Sequence, residues 1–117
     1  MIATALKRIQ TEGSDGNFVI FETATYYIQF TGENGKTSLY AEAVSNQFLS
    51  RKDSLSMEQI TQLQLMGWTI QDGSNFSRTW EASSDSDREH IAQAVMQAFA
   101  VYGVSSENEL QVNVMLE

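Results

Sequence analysis

Residues 55–80 read LSMEQITQLQLMGWTIQDGSNFSRTW, and this stretch carries the clearest structural punctuation in the chain. Ser56 and Gln59 have the spacing of a capping box, in which each side chain satisfies a backbone N–H of the other residue. Leu55 and Ile60 flank the box as a hydrophobic staple. The pattern predicts a helix over 57–66, closed by Gly67 in the left-handed C′ position with Trp68 packing back on Leu63. Beyond it, Trp68–Gln71 and Phe76–Glu81 read as short strands around the loop Asp72-Gly73-Ser74-Asn75. The unit is a helix followed by a strand pair. It holds no nucleophile with a base, no metal cluster and no phosphate loop.

Working outward, Ile2, Leu6 and Ile9 recur at helical spacing, which predicts a short amphipathic helix over 2–11 before the turn Gly13–Asn17. Residues 18–45 read as three strands rich in aromatic and β-branched side chains. Asn34-Gly35 joins the second and third as a type I′ hairpin, which needs φ > 0 at both central residues. That loop opposes Phe30 with Leu39, Ile28 with Ala41 and Tyr26 with Ala43 on an apolar face. The other face then carries Thr31 with Ser38, Gln29 with Tyr40, and Tyr27 with Glu42. A second helix is expected from a capping box of Ser86 and Glu89, with Ile91, Val95, Ala98, Phe99 and Tyr102 on one face and Gly103 at its end. Leu110, Val112, Val114 and Leu116 alternate as a half-buried final strand. Helices and strands are segregated along the chain. The expected class is therefore α+β, a mostly antiparallel sheet of five or six strands backed by helices, in a single domain over 1–117.

Composition narrows the function. Seven Lys and Arg stand against fifteen Asp and Glu, a net charge of −8. Nucleic acid and anionic membranes are poor partners for such a surface, because each phosphate contact requires a cation. Basic partners suit it better. There is no cysteine, which excludes disulfides, thiol catalysis and thiolate metal sites. No stretch approaches the ~20 apolar residues of a membrane span. The N-terminus has no continuous signal-type core, so the cytoplasm is the expected location.

The residues that could carry chemistry each have a plainer reading. Asp85, Asp87 and Glu89 alternate as in a calcium loop, but the glycine and the closing carboxylate of that pattern fall on His90 and Met96. Acids at a helix start complement its dipole instead. His90 lies with Gln93, Ala94 and Gln97, opposite the apolar stripe, with no nucleophile in view. Gly13-Ser14-Asp15-Gly16 has the form of an RNA-clamping GxxG, with an acid inside and few cations nearby. Asn75-Phe76-Ser77 matches a glycosylation acceptor only by chance in an unsecreted chain. No catalytic, cofactor-binding or metal residue is expected. Trp68 and Trp80 are expected in the core. Tyr27 and Tyr40 are the candidates for a binding face, since polar-tipped aromatics bury large area at low entropic cost.

The order of elements, with Phe21-Glu22, Tyr27–Phe30, Ala41-Glu42-Ala43, Leu63, Gly67-Trp68, Asn75–Trp80 and Tyr102-Gly103-Val104, resembles the TY-Chap group. These bacterial domains are related in fold to type III secretion chaperones and YbjN proteins. The resemblance covers most of 18–116. It implies an antiparallel sheet backed by helices, and peptide or protein binding without hydrolysis, often in a homodimer. On it, Gly67, Trp68, Asn75, Phe76, Arg78 and Trp80 are motif residues with a structural role. No catalytic residue is carried over, and no secretion role is implied. Two other readings stand beside the binding module. One is a subunit of a larger assembly; the other is a small enzyme or ligand carrier with Glu22 or Glu42 as a buried base.

Overall fold

The structure is a computed structural model that describes residues 1–117. Its elements run α1 (Ile2–Thr11), β1 (Asn17–Glu22), β2 (Tyr27–Gly32), β3 (Ser38–Ala43), α2 (Met57–Leu65), β4 (Thr69–Ile70), β5 (Phe76–Glu81), α3 (Asp85–Val101) and β6 (Gln111–Met115), with three short 3-10 turns between them. The six strands form one antiparallel sheet in the order β4-β5-β3-β2-β1-β6. Period-2 alternation sends Val19, Phe21, Ile28, Phe30, Leu39, Ala41, Ala43 and Phe76 to one face, where all are buried. Helix α1 lies on that face over β1, β2 and β6 and packs against α3, while α2 sits against α3 and β4. Ile2, Leu6 and Ile9 are fully buried, so the N-terminal helix is part of the core.

The α2 punctuation forms as the sequence specifies. Ser56 Oγ accepts from Gln59 N–H, and Gln59 Oε1 accepts from Ser56 N–H. At the other end Gly67 N–H donates to Gln64 and Trp68 N–H to Leu63, satisfying the carbonyls a helix end would otherwise strand. Gly67 adopts φ 97°, which a side chain would resist. Helix α3 closes in the same way, with Gly103 N–H on Ala100 and Val104 N–H on Phe99. Its start differs from expectation: the cap is Ser84, which accepts from Asp87 N–H, and Asp87 accepts in return from Ser83. Ser84–Asp87 has the same spacing as Ser86–Glu89 and starts the helix two residues earlier, which brings Asp85 into its first turn, where it pairs with the buried Arg88.

The β2–β3 hairpin also departs from the expected register. Ile28 pairs with Ala43, Gln29 with Glu42, Phe30 with Ala41 and Thr31 with Tyr40, two residues from the alignment the loop alone suggests. A shift of two keeps every side chain on its face. Gly35 has φ 86° but Asn34 does not have positive φ, so the turn is not type I′. Tertiary contacts explain it. Gly35 N–H donates to Gln10 O at the end of α1, Asn34 N–H to Ser14 O, and Asn34 Nδ2 to Gly13 O. The loop is held open by the α1 terminus, whose last carbonyls need donors.

Asn17 completes that junction. It is fully buried at the start of β1; its Nδ2 donates to Ile9 O and Glu12 O, and its Oδ1 accepts from Glu117 N–H. One amide therefore closes α1 and anchors the last residue of the chain.

Candidate functional site

The second face of the sheet has no helix over it. Strand pairing sets its side chains in rows. Met115, Phe18, Thr31, Tyr40 and Thr79 stand side by side across β6, β1, β2, β3 and β5. The next row is Asn113, Ile20, Gln29, Glu42, Ser77 and Thr69, and a third holds Gln111, Glu22 and Tyr27. Phe18 and Ile20 are only half-buried, while Tyr40 and Met115 are 45% and 53% exposed. An open cleft of about 390 Å³ lies at the β2–β3 end of this face, lined by Thr31, Glu33, Lys36, Ser38 and Tyr40 among others. Only one of its lining residues is hydrophobic, so it is a groove in a polar surface and does not resemble an enclosed apolar ligand pocket. Beyond β6 no further strand pairs, and Gln111–Met115 carries no charged residue or proline to block its free edge.

The two tyrosines fare differently. Tyr40 stands free at the centre of the first row. Tyr27 is half-buried, and its hydroxyl accepts a hydrogen bond from Asn75 Nδ2 at 2.9 Å. The same Asn75 accepts from Ser45 N–H through Oδ1, while Ser45 Oγ donates to Ser74 O. Tyr27 thus fastens the start of β2 to the β5 entry, which Asn75 in turn joins to the end of β3. Neither Glu22 nor Glu42 lies in an enclosed cavity; both stand half-exposed on the open face.

The motif residues lie on or beside the opposite side. Arg78 reaches under Gly67, donates through Nη1 to Met66 O at the α2 terminus, and stacks on Trp80 with its Cζ 4.2 Å from the ring centroid. Burial lowers the pKa of this guanidinium, which stays cationic. Trp80 stacks on Phe30 at 5.5 Å and meets Trp68 edge-on at 5.6 Å. Trp68 is fully buried, whereas Trp80 is half-buried, because Arg78 and not an apolar side chain covers its outer face. Phe76 is fully buried. A side chain at position 67 would meet the Arg78 guanidinium at 3.2 Å, which is a second reason for glycine there.

A polar junction between α1 and α3 has no counterpart in the sequence reading. Gln10 is buried; its Nε2 donates to Lys36 O, Thr37 O and Ala82 O, and its Oε1 accepts from Arg88 Nη1 at 2.9 Å. Arg88 Nη2 in turn donates to Asp85, which Lys7 also approaches at 3.4 Å. These contacts, the Arg88 hydrogen bond first, hold the Asp85 carboxyl below the usual carboxylate range. The partners are 78 positions apart, and no local pattern signals them. Asp87 is likewise depressed, chiefly by the Ser83 backbone N–H. The acids at the start of α3 therefore cap and pair. His90 is exposed on the same helix, and no three of His, Asp and Glu converge as a metal cluster. Gly13–Gly16 forms a turn that is tied by Ser14 Oγ to Glu117 O.

Phe18, Ile20 and Met115 are the open-face residues that sequence reasoning did not single out as a site. The run Phe18-Val19-Ile20-Phe21 is continuously apolar, so no alternation tells which pair faces outward; only pairing with the alternating β2 does. No helix is long and apolar enough to cross a membrane. No curated protein and no solved structure matches the chain. A family model does: TY-Chap3, described as T3SS (YopN, CesT) and YbjN peptide-binding chaperone 3, matches residues 2–115, and the chain belongs to that family of peptide-binding chaperones.

Proposed function

We propose that this protein is a non-enzymatic polypeptide-binding module that holds its ligand against the uncovered sheet face. The observation that carries the reading is the row Met115, Phe18, Tyr40, set in register on a face that no helix covers. Apolar and aromatic side chains left half-exposed there do nothing for the core. They supply area that a bound chain would bury, at roughly 25 cal/mol per Å² before the costs of ordering it. The free β6 edge beside the row offers backbone hydrogen bonds with little sequence selectivity. Family membership supports peptide binding. The absence of a base held near a nucleophile favours retention of the ligand over turnover, and the charge balance disfavours nucleic acid and anionic membrane.

The test is site-specific photocrosslinking in lysate. A benzophenone amino acid at position 40 is expected to trap polypeptides, while the same group at exposed position 90 on α3 traps none above background. Equal trapping at both positions would sink the reading.

Self-association is a second reading, favoured by one surface. Met57 and Leu65 stand on one side of α2, eight residues apart, and are 76% and 83% exposed. A homodimer through this stripe would leave the sheet face free. Sedimentation equilibrium of the wild type and Leu65→Glu checks it: the reading expects a dimer that the substitution dissociates, and a wild-type monomer at micromolar concentration would remove it.

A further inference from the structure

Resting on the reading that the open face binds polypeptide, we propose that its ligand is a cationic segment, with an apolar or aromatic residue seated on the Phe18–Tyr40 row and arginine or lysine side chains reaching Glu42 and Glu22. The charges of the molecule are distributed unevenly between its sides. No strand places a lysine or arginine on the open face: Arg78 points to the helix-covered side, and Lys7, Arg8 and Arg88 belong to α1 and α3. The ion pairs of the protein, Lys7–Asp85, Arg8–Glu12 and Arg88–Asp85, all join helical residues or the end of α1. On the open face Glu42 sits between Gln29 and Ser77, and Glu22 between Tyr27 and Gln111, without a cation. Lys36 lines the cleft with Glu33 in the β2–β3 loop, and Arg51 and Lys52 lie in a 3-10 turn beyond β3; none of the three pairs with Glu22 or Glu42.

Spacing fits an extended chain. Phe18, Ile20 and Glu22 follow one another on one face of β1, and Tyr40 and Glu42 do so on β3, which runs in the same direction as β1. Same-side residues of an extended peptide repeat at about the same interval as same-face residues of a strand, roughly 6–7 Å. A peptide lying along these strands would place an apolar side chain on the first row and a cation one or two steps further on. Tyr40 and Tyr27 would add cation–π faces beside the carboxylates. Half-exposed carboxylates flanked by neutral neighbours keep most of their Coulomb attraction for an incoming cation, since no internal partner neutralises them.

The experiment measures fluorescence anisotropy of the full-length protein with a short labelled peptide in which arginine alternates with valine and phenylalanine. The same peptide with glutamine or glutamate in place of arginine is run beside it, at low and high salt. The arginine peptide should bind best, and high salt should weaken it. Glu22→Gln with Glu42→Gln should cost about three- to tenfold in affinity and flatten the salt dependence. Glu58→Gln with Glu89→Gln, which makes the same change in net charge on the helix side, should cost less than twofold. If both double variants lose affinity equally, the attraction is a property of net charge and the proposal fails. If the glutamine peptide binds as tightly as the arginine one, the cationic specificity is overturned while peptide binding stands. If no peptide binds, the underlying reading falls as well.

Discussion

On the helix-covered face, Val19, Phe21, Ile28, Phe30 and Leu39 have no measurable exposure; one residue along the same strands, Phe18, Ile20, Gln29, Thr31 and Tyr40 stand without cover. The chain supplies both sets from the same backbone, because side chains of a strand alternate. The difference between the faces is informative because both contain aromatics. Phe21 and Phe30 meet edge to face at 6.1 Å and Trp80 stacks behind them, so their removal would leave a hole. Phe18 is half-buried and Tyr40 exposed, so their removal leaves no enclosed cavity. The covered face holds the fold together, and the open face is the surface the proposed reading leaves for the ligand.

Truncation is the sharpest way to break this comparison. Phe30→Ala should destabilise the protein by about 3–5 kcal/mol, from lost transfer energy and an incompletely collapsed cavity. Phe18→Ala should cost no more than about 1 kcal/mol. Urea titrations of the two variants, with equal slopes, check it; comparable losses would mean the open face is part of the core. Next in size is Gln10→Ala, which removes one acceptor from buried Arg88 and an amide nitrogen whose two N–H groups serve three carbonyls. About 2–3 kcal/mol is expected, because groups left unsatisfied in the interior carry their desolvation cost. Gly67→Ala should cost about 1–2 kcal/mol from left-handed backbone strain, with some loss of the Arg78 stack.

The smallest effect is a pH dependence carried by the helix caps. Asp87 is held low chiefly by Ser83 N–H, and Glu109 by the N–H groups of Ser105 and Ser106. Folding lowers both pKa values, so in acid the unfolded chain binds more protons than the folded one. Their contribution is complete above the ordinary carboxylate range and is lost as pH falls through it, below about pH 4.5. Between pH 7 and pH 3 the wild type should lose more stability than a variant carrying Asp87→Asn and Glu109→Gln, measured by urea midpoint. Equal losses would show that these caps do not couple to folding.

The parts of this fold legible in sequence are those fixed by neighbours along the chain. The capping box of Ser56 and Gln59 and the Gly67 and Gly103 terminations involve residues within six positions, and they form as read. The facing of β2 and β3 was legible too, since their alternation is unambiguous. Their register was not, because Gln10, Gly13 and Ser14 hold the loop open from a part of the chain 20 to 25 residues away. The start of α3 illustrates competition between equivalent local signals: Ser84–Asp87 and Ser86–Glu89 have the same spacing, and the first forms, with Asp87 also accepting from Ser83 and Asp85 pairing with Arg88. For the candidate site, Tyr40 was visible as an aromatic at a polar-face position. Phe18 and Ile20 were hidden in a run with no alternation, and the unpaired state of Glu22 and Glu42 is visible only when all six strands are in place.

The most direct measurement is amide chemical-shift mapping of the isotopically labelled full-length protein during titration with the arginine-containing peptide. Binding to the uncovered face predicts the largest shifts at Phe18, Ile20, Gln29, Thr31, Tyr40 and Glu42, with α1 and α3 nearly unmoved. Shifts concentrated on α1 and α3, with the rows of the open face unchanged, would contradict it.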